Sequence, residues 1–301
     1  MVGATEGARL SMTRILVVGA TGMLGTDLMT GLADYGITGM GSSQLDITDA
    51  FAVDRTVKSF DIVINSAAFT AVDDAEREEE QAFALNAQGP RNLARACKLG
   101  GATLIQVSTD YVFDGTAAKP YPEDARANPQ SVYGASKHAG EQAVLEECPD
   151  SSLIVRTSWL YGLHGQSFPR SILQAGKARE TLDVVSDQRG QPTWTVDVVA
   201  MIRMLIEAGI NKGTFHATNS GSTTWHGFAS RLFELAGWDP SRVHQTMSAD
   251  FPRPAPRPAW SVLGHTAWAQ AGLRSPRPWG AALDDAWSAG LSAFASSEER
   301  V

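Results

Sequence analysis

Ile15-Leu16-Val17-Val18, running directly into Gly19-Ala20-Thr21-Gly22-Met23-Leu24-Gly25, limits the folds open to this chain more than any other stretch. Four consecutive apolar residues, mostly β-branched, read as a strand buried on both faces, the habit of a parallel sheet. Three glycines then permit a tight turn, close approach of a pyrophosphate and close packing of the next helix on the strand. That helix, expected over residues 23–35, offers unpaired N–H groups at its start, where an anion binds. Strand, glycine turn and helix together predict a dinucleotide-binding unit. The spacing is Gly-x-x-Gly-x-x-Gly rather than Gly-x-Gly-x-x-Gly.

Further strand-like runs follow at residues 59–66, 102–108 and 153–156, separated by helical compositions over 75–99 and 133–147, with a turn expected at Gly89-Pro90. Strands alternating with helices imply βαβ units. The predicted fold class is α/β: a Rossmann-type doubly wound parallel sheet with a smaller, mostly helical C-terminal substrate lobe. The sheet domain is expected over 13–159, with 191–219 returning to it as a helix and a short strand. The lobe is expected over 160–190 and 220–291, with tails at 1–12 and 292–301. Four prolines between Phe251 and Pro258 forbid a helix there.

An acidic residue some 20 positions past the glycines would bind a ribose 2′-hydroxyl. Here residues 38–43 read Thr-Gly-Met-Gly-Ser-Ser. With no carboxylate to repel a 2′-phosphate, NADPH, or both cofactors, is expected rather than strict NADH. Ser42 is placed beside the cofactor, Asp46 and Ile47 flank its adenine, and Ala67-Ala68-Phe69 line its groove, or are ordinary small core residues.

Tyr133-x-x-x-Lys137 stands 24 residues after Thr109. On a helix, positions four apart share a face. An ammonium beside a phenol favours phenolate, so the Tyr133 pKa is expected to fall from its usual value near 10. A tyrosine tuned in this way exchanges a proton with an alcohol or ketone oxygen, which beside a nicotinamide is half of a carbonyl reductase.

Bulk properties exclude other classes. The 301 residues carry 25 Lys and Arg against 33 Asp and Glu, a net charge of −8 with no lysine-rich run, so neither nucleic acid nor an anionic membrane is an expected partner. Only Cys97 and Cys148 are present, too few for a zinc site or disulfide framework, and a cytoplasmic location is expected. His138, His164, His216 and His226 lack ligand-like spacing, and no metal-binding residue is expected.

Taken together, the glycine triplet, Asn65-x-Ala67-Ala68, Asn86, Ser108 through Gly115, the Tyr133/Lys137 pair, Arg156-Thr157-Ser158-Trp159, Asp187-Gln188-x-Gly190-x-Pro192-Thr193 and the Arg253 to Pro258 loop resemble the extended short-chain dehydrogenase/reductases. Within them the likeness is to the dTDP-4-dehydrorhamnose reductase family, over about Arg14 to Leu291. The resemblance implies catalytic roles for Thr109, Tyr133 and Lys137, the last two and Asn86 also touching the cofactor. It implies a dTDP-linked 4-keto-6-deoxy sugar as substrate, met by Thr109, Asp110 and Trp159, with the dTDP moiety in the second lobe. For Trp159 a plain buried aromatic is the alternative. Arg253 and Arg257 either pair with the diphosphate or are solvated. Some members of the family form homodimers around magnesium held by acidic residues; a full set of those is not legible here. Other nucleotide-sugar reductases or epimerases, or a non-catalytic NADP-binding subunit, remain as readings.

Overall fold

The computed structural model describes residues 13–296; the expected tail 1–12 and residues 297–301 lie outside them. The chain runs through β1 (Arg14–Val18), α1 (Met23–Gly31), β2 (Gly36–Met40), α2 (Ala50–Val57), β3 (Ile62–Asn65), α3 (Gly89–Gly100), β4 (Thr103–Thr109), α4 (Val132–Glu147) and β5 (Ser152–Thr157). It continues with α5 (Phe168–Ala178), α6 (Thr195–Glu207), β6 (Gly213–His216), α7 (Trp225–Leu235) and α8 (Trp279–Ala289).

Six parallel strands form the central sheet in the order β6-β5-β4-β3-β1-β2. The order reverses at β1, so the crevice beyond the C-terminal ends of β1 and β3 is the switch point where ligands bind in such sheets. Alternate residues of β1 explain the two layers. Ile15 and Val17 pack with Leu24 and Leu28 of α1 and Val198 and Ile202 of α6, while Leu16 and Val18 pack with Val53, Leu93 and Val144 of α2, α3 and α4. A strand covered on both faces by helices must be apolar throughout.

Several details differ from expectation. Strand β2, Gly-Ile-Thr-Gly-Met, carries two glycines and is only partly buried, so it lacks the apolar run that marks its neighbours. Helix α2 opens at Asp49, whose carboxylate accepts from Phe51 and Ala52 amides. Helix α1 is shorter than 23–35 and ends at Gly31. Gly89-Pro90 makes no turn; it begins α3, where proline's missing N–H costs nothing. Residues 292–296 are not frayed, because Leu291–Phe294 form a short 3₁₀ turn with Leu291 buried.

The lobe has its own apolar core, with Leu173 of α5, Phe228 and Leu232 of α7 and Leu283 of α8 fully buried. Of the returning segment, β6 joins the sheet and α6 covers α1, but Thr193-Trp194 pairs with Leu160-Tyr161 instead. Trp268, expected in the lobe, is buried in the sheet's core and donates to the His216 carbonyl. Among the described residues no helix is long and apolar enough to cross a membrane.

Candidate active site

A cavity of about 710 Å³ lies along the switch point, lined by residues from Val18 to Leu160. At one end Gly19 to Gly25 form its rim. Gly19 is left-handed (φ +78°), and a Cβ there would lie 2.6 Å from the Ala67 amide nitrogen. A Cβ on Gly25 would lie 2.1 Å from the Gly19 carbonyl oxygen. No side chain fits either place. Helix α1 starts on Gly22 with no side-chain cap and no acidic residue in its first turn. A pyrophosphate fits such a terminus, since amides and helix dipole both face it.

Thr21, Met23, Leu24, Ser42, Asp46 and Ile47 line this end, and Ala67 and Ala68 the wall beyond it. Asp46 is occupied locally, accepting from the Thr48 amide at 2.9 Å and its hydroxyl at 2.7 Å, which holds its carboxyl below the usual range. Phe69 and Asn86 do not reach the cavity wall. Asn86 sits in a turn of π-helix, Ala84–Gln88, behind it. There it accepts from the Phe69 amide (2.8 Å) and donates to the Phe69 carbonyl (3.0 Å) and Ser136 hydroxyl (3.0 Å). A short amide side chain answering one residue's backbone on both sides is a clamp, and here it ties the 67–69 loop to α4.

The other end holds Thr109, Asp110, Tyr133, Lys137 and Trp159. Helix α4 is capped by Ser131, whose hydroxyl accepts from the Gly134 amide at 3.1 Å. That cap fixes the register placing Tyr133 and Lys137 over the end of β4. Lys137 is buried and donates to the Val107 carbonyl at 2.8 Å. Burial pulls its ammonium down to about 8, against the opposing pull of Glu141. Tyr133 departs from the sequence expectation. Burial pushes its phenol up to about 12, with a Thr109 hydrogen bond acting the other way. Desolvation therefore outweighs the Thr109 bond, and the phenol stays protonated at neutral pH.

Asp110 is buried, and its carboxyl is pushed up to about 6 by burial, opposed by Ser261 and Thr109 hydroxyls. Behind Lys137, Glu141 takes a bidentate bond from Arg156, at 2.8 Å from both Nε and Nη2. Burial alone would raise that carboxyl; the guanidinium holds it down at about 2.

Arg257 lies off the cavity wall. It pairs with Asp73 at 2.9 Å, Arg253 reaches the same carboxylate at 3.6 Å, and the Ala255 amide donates to it. Arg257 is thus held by Asp73, while Arg253 stays mostly in solvent. They fasten the proline-rich loop beside Val72, a lining residue. Sequence reasoning missed Asp73, for which no local signal existed, and Trp225, which stacks on Trp159. Among the described residues no three His, Cys, Asp or Glu side chains come together as a metal site.

Comparisons with known proteins agree with this geometry. A dTDP-4-dehydrorhamnose reductase of Streptomyces griseus is 47% identical over 284 residues, covering 92% of this chain and 93% of that protein. A dTDP-4-keto-6-deoxy-D-glucose reductase of Streptomyces niveus is 44% identical, covering 91% and 96%. The crystal structure of dTDP-4-dehydrorhamnose reductase from Bacillus anthracis in complex with NADP superposes with a TM-score of 0.89 at 38% identity, covering 92% of this chain and 99% of that one. The model of the RmlD substrate binding domain matches residues 12–291, nearly the whole chain. With its doubly wound sheet, its glycine turn and its tyrosine–lysine pair over β4, this chain belongs to the RmlD substrate binding domain family.

Proposed function

We propose that this protein is an NADPH-dependent oxidoreductase that reduces the 4-keto group of dTDP-4-dehydro-6-deoxy-L-mannose to give dTDP-L-rhamnose. The observation that carries the reading is one continuous cavity, with an uncapped glycine-rich helix start at one end and Thr109, Tyr133 and Lys137 at the other. The names of the relatives support the substrate, and the NADP complex of the Bacillus anthracis structure supports the cofactor.

Bound NADPH supplies the hydride that the ketone carbon takes up. Tyr133 gives its proton to the oxygen as negative charge develops there, and solvent returns that proton to the phenol. A phenol near 12 is fully protonated at neutral pH, which suits the reductive direction. Lys137 spends one of its three N–H donors on Val107 and offers the others to the cofactor ribose. Thr109 hydrogen-bonds the same oxygen or the phenol and fixes the geometry. Asp110 and Trp159 meet the sugar.

The test is the loss of NADPH absorbance with the keto sugar generated in situ by an upstream epimerase. Tyr133→Phe should lower turnover by at least about a hundredfold while NADPH still binds. Near wild-type turnover in that variant would sink the assignment of Tyr133. The Streptomyces niveus relative names a second reading, reduction of the D-glucose-series keto sugar. A higher kcat/KM for that compound would replace the L-series substrate.

A further inference from the structure

Trp159 stands in the cavity wall with its backbone in the left-handed region, at φ +45°, the one non-glycine residue with positive φ among those described. A bulky residue is strained there, so its surroundings must hold it. What they supply comes from the lobe. The Trp225 ring lies flat on the Trp159 ring, centroids 3.5 Å apart and planes within 6°. Trp225 is itself fixed: its Nε1 donates to the Gln188 side chain at 3.1 Å, and Phe168 packs against it at 4.5 Å.

Gly190 completes the arrangement. A Cβ there would lie 2.4–2.7 Å from three atoms of the Trp159 indole. Arg189-Gly190 forms a small antiparallel ribbon with Thr223-Thr224, so Gly190 and Trp225 approach the indole from paired strands. Thr224 caps α7, fixing where that helix begins. The ring and the glycine that hold the Trp159 indole thus belong to the lobe.

We propose that Trp225, with Gly190, is a positioning residue that holds the Trp159 indole between its own ring and the glycine, sets the angle at which the indole's edge meets the sugar, and so helps decide which keto sugar is accepted. The inference rests on the reading of the cavity as a nucleotide-sugar reductase site. It makes the lobe's register a determinant of sugar binding, with the glycine turn that would hold the cofactor's pyrophosphate at the far end of the same cavity.

Trp225→Leu, Trp225→Phe and Gly190→Ala test it in the full-length protein, read by steady-state kinetics, NADPH binding and circular dichroism. Two stacked indoles give an exciton couplet, which both Trp225 variants should lose. For Trp225→Leu and Gly190→Ala the keto-sugar KM should rise roughly fivefold to tenfold, about the loss of one aromatic pair, with kcat changed less and NADPH affinity unchanged. Trp225→Phe keeps a ring against the indole and should restore much of the KM. An active wild type whose Trp225 variants lose the couplet and keep the sugar KM would overturn the positioning role. So would parallel changes in NADPH affinity, which would mark a general loosening of the fold. A wild type inert to both keto sugars would instead overturn the substrate reading beneath it.

Discussion

Lys137 meets two opposed demands. Its place over β4 suits a ribose ligand, yet burial there strips the ammonium of water and lowers its pKa to about 8 from an ordinary 10.5. The sign follows from proton counting: between those values the unfolded chain holds the proton and the folded one has released it, so stability rises with pH through this window and is reduced below it. At pH 7 the charge therefore works against folding. Lys137→Met should raise the thermal midpoint at pH 7 by a few degrees, the order of a gain of about 1–2 kcal/mol less the lost Val107 bond, while removing activity. A lower midpoint on calorimetry would show that the Val107 bond outweighs desolvation. Tyr133 and Lys137 were legible in sequence because helix periodicity pairs them. The direction of the Tyr133 shift was not, since desolvation depends on residues brought in from β4 and the lobe. The Arg257 partner was not legible for the same reason, Asp73 lying far away in sequence.

Among elements, the Glu141–Arg156 pair pins α4 to β5, and its burial makes it costly to break. A lone guanidinium in that place has no water to turn to; Arg156 also donates to the Glu123 carbonyl and lies over Phe113. Glu141→Gln should lower stability by about 3–5 kcal/mol in urea unfolding, whereas Glu141→Leu with Arg156→Met should recover much of it. A double variant as unstable as the single one would show that packing, not charge, ties these elements. The strands and helices of the sheet domain were readable wherever burial on both faces demanded unbroken apolar runs. Strand β2 escaped because it lies at the sheet's edge, where Ile37 alone gives an apolar signal between glycines. Likewise α2 depends on its Asp49 cap and on Val53 and Val57, too few turns for a clear period.

Over the whole molecule, buried titratable groups set the acid limit. Burial lowers His216 to about 3 and His265 to about 4, so the folded state refuses protons that the unfolded chain takes up below 6.5. Their contribution is intact above pH 6.5 and is lost as pH falls toward those values. Asp110, raised to about 6, works the other way, its folded form gaining a proton first. The histidines dominate, and stability should drop by roughly 2 kcal/mol between pH 7 and pH 5. Chemical denaturation at the two pH values checks this; equal midpoints would contradict it. A return of 191–219 to the sheet domain was expected from composition, but the pairing of Thr193-Trp194 with Leu160-Tyr161 and the place of Trp268 were not, because each is decided by contacts between distant segments. After β5 the chain enters the lobe, returns through α6 and β6, leaves again, and still sends Trp268 back under the sheet. Exchanging the lobe for that of a relative would therefore mean grafting separate segments at several seams, each with its own buried junction. Altering sugar choice within the existing lobe is the shorter evolutionary path.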